Sequence, residues 1–182
     1  KLVPYSSARD EFKGEASVLL DANENAFGSP YAKNYNRYPD PLQHRIKEKL
    51  RLIKGVPEEN IFLGNGSDEA IDILFRAFCE PGRDNVILVP PTYGMYEVSA
   101  NINNVAYKKI NLPADYQLDL EGIASAIDAH TKLIFICSPN NPTGNSIHRQ
   151  DIETILVNFD GIVVVDEAYI NYSKQKSFTH SL

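Results

Sequence analysis

Ser138-Pro139-Asn140-Asn141-Pro142-Thr143-Gly144, followed one helix and one strand later by Asp166-Glu167-Ala168-Tyr169, is the pair of clusters from which the fold is read. Each ends an apolar, β-branched run: Leu133-Ile134-Phe135-Ile136-Cys137 before the first, Ile162-Val163-Val164-Val165 before the second. Continuous runs of this kind read as strands buried on both faces. Between them Ile152, Ile155, Leu156 and Phe159 recur at helical spacing, so the order is strand, loop, helix, strand. A helical crossover joins parallel neighbours, which puts both polar clusters at the carboxyl ends of adjacent strands. That edge is where open α/β sheets bind ligands.

Working outward, strands near 61, 86, 106, 133 and 162 alternate with helices near 42, 68, 94, 120 and 149. This alternation predicts a three-layer α/β sandwich around a mostly parallel sheet. Residues 1–35 lack periodicity and read as an irregular arm with one short strand at Val18-Leu19-Leu20; residues 36–182 form the large domain. Asp40 is a suitable N-cap with Pro41 at the first helical position, and Leu42, Ile46, Leu50 and Ile53 make one stripe before Gly55.

The chemistry of the strand ends is specific. The Asn141 amide, the Asp166 carboxylate and the Tyr169 phenol, converging on one crevice, can grip a flat heteroaromatic: the carboxylate pairs with a ring nitrogen, amide and phenol with a ring oxygen. Pyridoxal 5'-phosphate fits that description. Gly64-Asn65-Gly66-Ser67-Asp68-Glu69 follows an apolar run and opens a helix, so free N–H groups and the Ser67 hydroxyl can hold a phosphate monoester, the carboxylates of Asp68 and Glu69 turning away. Glu69 stands where a dinucleotide fingerprint needs its third glycine, and no Gly-Lys-Ser/Thr follows for a Walker-type loop. After the next strand, Pro91-Thr92-Tyr93-Gly94-Met95-Tyr96 offers Tyr93 as the floor for a flat ring, with Tyr96 as the fallback. Taken singly, Asp166 also reads as a turn cap, Asn141 as a turn residue, Gly66-Ser67 as an ordinary helix start and Asn23-Glu24-Asn25 as a polar turn.

Together with Leu20-Asp21-Ala22-Asn23-Glu24-Asn25 and Arg37-Tyr38-Pro39-Asp40-Pro41, these motifs make almost the whole chain resemble the pyridoxal-phosphate-dependent aminotransferases of fold type I, most closely the branch acting on L-histidinol phosphate. The resemblance implies transamination with 2-oxoglutarate as acceptor, in a homodimer with shared active sites. Asn141, Asp166 and Tyr169 are then the catalytic group; Gly66, Ser67, Asp68 and Tyr93 join them in holding the cofactor; Asn23, Glu24 and Tyr38 lie beside the substrate. The resemblance also implies that Tyr38 reaches the cofactor phosphate of the other subunit, where by itself Tyr-Pro before a helix reads as packing. Aromatic or aspartate aminotransferases and a phosphothreonine decarboxylase share the motifs, and a non-catalytic folding or dimerisation unit is the reading from a different class.

One family feature has no match. The cofactor-bonding lysine of the family sits on a Ser/Thr-rich loop a few dozen residues after Asp-x-x-Tyr, whereas Lys174 and Lys176 follow Asp166 too closely and read as solvated loop lysines. The first residue is not Met and the last residues complete no element, so the chain is expected to be an N-terminal portion, stopping inside the cofactor domain before the family's small C-terminal domain.

Composition narrows the rest. Of 182 residues 43% are hydrophobic and 23% charged, as in ordinary globular domains. With 18 Lys+Arg against 24 Asp+Glu the net charge is −6 and no basic cluster tracks a phosphodiester backbone, so nucleic acid is not the expected partner. No apolar run reaches spanning length and no signal-peptide core opens the chain, which reads as cytoplasmic. Cys79 and Cys137 read as small buried hydrophobes, and His44, His130, His148 and His180 as surface or capping residues without metal spacing.

Overall fold

A computed structural model describes every residue except 1, 2, 4, 13, 15, 32–34 and 182, together with the side chains of all described residues but Asp10, His180 and Ser181. The expectation for His180 therefore lies outside the described residues, as do parts of the expected arm. The chain divides into two compact units, residues 1–48 and 49–182.

In the first unit α1 (Ala8–Glu11) is a single turn and the other described residues up to α2 (His44–Lys54) are irregular; α2 carries the chain across the boundary. None of the described residues of this unit is buried. The expected strand at Val18-Leu19-Leu20 is not formed: among the described residues the segment has no partner to share its backbone hydrogen bonds, and Leu20 is 84% exposed. Asp40 does cap, but from across a turn rather than from the position next to the helix. Its Oδ1 accepts from the Leu42 N–H at 2.9 Å and its Oδ2 from the His44 N–H at 2.8 Å, so the helix begins at His44 instead of Pro41.

The second unit is built on α3 (Gly66–Phe78), β1 (Asn85–Leu88), α4 (Met95–Ile102), β2 (Ala106–Lys109), α5 (Leu120–Ala126), β3 (Thr131–Cys137), α6 (Arg149–Asn158) and β4 (Ile162–Asp166). The four strands pair in the order β2-β1-β3-β4, all parallel. Period-two alternation splits their side chains between two cores. Val86, Leu88, Leu133, Phe135 and Cys137 pack with Ile71 and Phe75 of α3 and Tyr96 and Ala100 of α4. Ile87, Val89, Ile134 and Ile136 pack on the opposite face with Ile123 of α5 and Ile152 and Ile155 of α6. Helices on both faces of a parallel sheet give the three layers expected from the sequence.

Two differences are informative. Ile61-Phe62-Leu63, expected as a strand, is extended but unpaired, with Phe62 61% exposed. Leu156, expected on the buried face of α6, is 45% exposed; the buried stripe runs through Ile152, Ile155 and Phe159 instead. Both cysteines are buried and free, and burial pushes the Cys79 thiol up to about 11. Among the described residues no helix is long and apolar enough to cross a membrane, and no group of His, Cys, Asp and Glu could hold a metal ion.

Candidate active site

The sheet order reverses at β1, from which the chain goes first to β2 on one side and then to β3 on the other. The crevice beyond the carboxyl ends of β1 and β3 is thus a topological switch point, where ligands bind in such sheets. The loops leaving those strands are latched together. Asn140, only 3% exposed, donates from Nδ2 to the Pro91 carbonyl at 2.9 Å and to Thr143 Oγ1 at 2.7 Å, and its Oδ1 accepts from Thr92 Oγ1 at 3.0 Å. Gly144, at φ +77° in the left-handed region that suits glycine, donates its N–H back to the Asn140 carbonyl at 2.7 Å and closes the turn.

Beside this latch lies a cavity of about 250 Å³ lined by Asn65, Gly66, Ser67 and Asp68 from the start of α3, Tyr93 after β1, Cys137 and Asn141 after β3, and Asp166, Ala168 and Tyr169 at the end of β4. Seven of the residues singled out from sequence, Gly66, Ser67, Asp68, Tyr93, Asn141, Asp166 and Tyr169, are brought together here. A larger groove of about 500 Å³ over Arg51 and residues 55–59 gathers none of them, and its Arg51 is paired with Glu58 at 3.6 Å.

Asp166 is anchored at both oxygens: Oδ1 accepts from the Ala168 N–H at 3.0 Å and Oδ2 from the Tyr96 hydroxyl at 2.7 Å. Tyr93 donates to Asp68 Oδ1 at 2.9 Å, and that carboxylate holds the phenol above its ordinary pKa. Asp68 therefore faces the cavity, against the expectation that it turns away, because the Tyr93 phenol captures it. Glu69 does turn away. It curls back to accept from the Asn65 backbone N–H, and from the Asn65 side chain at 3.1 Å, as an acidic residue in a first helical turn does. Gly66, at φ +78°, makes the sharp entry that leaves the first N–H groups of α3 without intrahelical partners. The Asn141 amide and the Ser67 hydroxyl make no side-chain hydrogen bond among the described residues.

Sequence reasoning gave Tyr96 only as a spare ring floor. The structure instead buries it completely, under the site, where it shares the inward stripe of α4 with Ser99 and Ala100 at helical spacing.

In the first unit Glu24 is the centre of a charge cluster, its side chain 2% exposed. Arg9 donates to it from Nη1 and Nη2 at 3.0 Å each, Arg37 from Nη1 at 2.9 Å, and the Tyr38 backbone N–H completes the set. Arg9 also pairs with Asp21 at 2.7 Å. These donors, Arg9 first, pull the Glu24 carboxyl down to about 2. Arg9 is a partner that sequence reasoning missed, since the two residues lie 15 apart with no shared period to link them. Asn23 is exposed at φ 52°, and the Tyr38 side chain is 70% exposed.

Residues 16–180 match the family described as Aminotransferase class I and II, and the chain belongs to that family. Within it, the histidinol-phosphate aminotransferase of Parabacteroides distasonis is 58% identical over 100% of this chain and 51% of its own length. That of Bacteroides thetaiotaomicron is 57% identical over 100% and 52%. The chain spans about half the length of the curated relatives it matches. Among solved structures, an aspartate aminotransferase from Thermotoga maritima superposes with a TM-score of 0.68 over 79% of this chain and 42% of its own, at 23% identity, a likeness of fold. A double mutant of Thermus thermophilus aspartate aminotransferase gives 0.62 over 70% and 35%, at 29% identity.

Proposed function

We propose that the full-length protein is a pyridoxal-phosphate-dependent aminotransferase that moves an amino group between L-histidinol phosphate and 2-oxoglutarate in histidine biosynthesis, acting as a cytoplasmic homodimer. The observation that carries this reading is the convergence of Asn141, Asp166, Tyr169 and Tyr93 with the N-terminus of α3 on one cavity at the switch point. The donor set fits the cofactor. A carboxylate anchored at both oxygens suits a protonated ring nitrogen, and the Asn141 amide and the Tyr169 phenol, which make no side-chain hydrogen bond among the described residues, suit a ring oxygen. A glycine-led helix start with a free hydroxyl suits a phosphate. When bound, pyridoxal phosphate supplies an aldehyde for the amino group and a ring that takes up electron density as the substrate Cα–H bond breaks.

The residues act on that chemistry by placement. Asp166 keeps the ring nitrogen protonated, Asn141 and Tyr169 orient the ring through its oxygen, and Tyr93 lies against its face. The N–H groups of Gly66, Ser67 and Asp68, with the Ser67 hydroxyl, hold the phosphate. Asn23 and Glu24 belong to the substrate side, and Tyr38 of one subunit serves the phosphate held by the other.

The test is an amino-donor panel on the full-length protein, in which L-histidinol phosphate with 2-oxoglutarate is the expected best pair. Asp166→Ala should lower kcat/KM by roughly 10²–10⁴, the equivalent of ~3–5 kcal/mol for a buried cation left without its carboxylate. Near wild-type turnover in that variant would sink the assignment.

A further inference from the structure

Tyr96 of α4 has no exposed surface. Its ring stacks on Phe135 of β3, centroids 4.9 Å apart and planes at 25°, and meets Tyr93 edge-on at 5.6 Å and 86°. Phe135 in turn stacks on Phe75 of α3 at 5.2 Å and 18°. Stacked on one ring, met edge-on by another and without exposed surface, the tyrosine is held in a packed core. Its one polar side-chain atom therefore has a fixed position, and from there it donates to Asp166 Oδ2 at 2.7 Å.

The carboxylate it reaches ends β4. Two side-chain torsions could swing Asp166 about, but one oxygen is pinned by the Ala168 N–H and the other by the phenol, so both torsions are set. Tyr96 does this without lining the cavity. Burial, then the neighbouring Cys137 and Asp166, raise its hydroxyl far above the ordinary tyrosine value, so it remains a donor wherever the protein is folded.

We propose that Tyr96 is a positioning residue: it fixes the orientation in which Asp166 meets the ring nitrogen of the cofactor. The inference rests on the proposed function and assigns a role in it to a residue outside the cavity. A side chain that holds a catalytic group in register works through that group alone, which gives the role a distinctive signature.

The experiment is a double-mutant cycle on the full-length protein, with Tyr96→Phe and Asp166→Ala alone and combined. It is read by titration with pyridoxal phosphate and by separate kcat and KM values for L-histidinol phosphate. Tyr96→Phe keeps the ring stack and deletes the hydroxyl, and with it the bond to Asp166 and the contact with Cys137. A hydrogen bond to a charged group is worth roughly 10–100-fold, so the dissociation constant for pyridoxal phosphate should rise and kcat should fall within that range. KM should stay within about threefold, a split expected when binding of the substrate is untouched. In the Asp166→Ala background the second change should cost less than about twofold. Equal losses in both backgrounds would overturn the proposal and make Tyr96 a packing residue only. So would an unaffected Tyr96→Phe in a protein whose wild type binds the cofactor. If neither wild type nor variant binds pyridoxal phosphate, the proposed function falls first and this inference with it. Should Tyr96→Phe fail to fold, the same cycle runs with Tyr96→His and is read the same way: a loss that disappears in the Asp166→Ala background supports the proposal, and an equal loss in both backgrounds, or none in either, overturns it.

Discussion

Residues 1–48 and residues 49–182 are held together by opposite means. The first unit has no buried residue among those described, and Val3, Tyr5 and Phe27 stand 90%, 90% and 101% exposed. What orders it is charge: one carboxylate, Glu24, collects two guanidinium groups and the Tyr38 backbone N–H. The second unit sandwiches a sheet between two apolar cores in which Phe75, Val86, Ile87, Tyr96, Leu133 and Phe135 have no exposed surface. The difference teaches which forces reach which candidate residues. Tyr38 stands where an ion cluster puts it, while Asp166 stands where packing puts it. Salt should therefore act on the two candidate regions unequally.

The largest effect should come from the packed side. Phe135→Ala removes the ring shared by Phe75 and Tyr96 and should cost about 3–5 kcal/mol, as large-to-small changes in tight cores do. Urea denaturation measures it, and a loss under about 1 kcal/mol would break the comparison by showing that the core is not what holds this unit. Next is Asn140→Ala. It leaves Pro91, Thr92 and Thr143 without their buried partner and should cost about 1–3 kcal/mol. Faster amide exchange should be concentrated in the loops after β1 and β3, and exchange rising evenly along the strands would contradict the latch.

The smallest effects belong to the charged side. Glu24 has a folded-state carboxyl pKa of about 2 against the ordinary 4.5, so its contribution is complete above 4.5 and is lost as pH falls through about 2. Amide exchange between residues 21 and 38 should accelerate across that window. Asp84 in the second unit is held at about 2 as well, by Arg83 and the Glu80 N–H, so acid alone does not separate the units. Glu24→Gln does: at neutral pH it should speed exchange at the Tyr38 N–H and leave the urea midpoint of the second unit where it was. A shift in that midpoint would show that the charge cluster supports more than its own unit.

What the sequence disclosed follows the same division. The runs ending at Cys137 and Val165 and the stripe through Ile152, Ile155 and Phe159 were readable because burial imposes a period on consecutive residues. Ile61-Phe62-Leu63 misled for the same reason: three apolar residues before glycine look like a strand, but a strand exists only where a neighbour takes up its hydrogen bonds. The cavity residues were legible as polar clusters at strand ends. The links that position them were not. Arg9 to Glu24 and Tyr96 to Asp166 span 15 and 70 residues, and no local period encodes a contact of that kind.

The latch at Asn140 also bears on how such a site can change over generations. Because the loops after β1 and β3 hold each other through one amide, an insertion in either would unfasten both, and their lengths are bound to vary together or not at all. The segment from Ile170 onward is fastened beyond the latch instead: Ser173 hydrogen-bonds with Ser146 at 2.9 Å and Gln175 donates to the Ile147 carbonyl at 3.1 Å. A change confined to that stretch would leave the bonds of Asn140 in place.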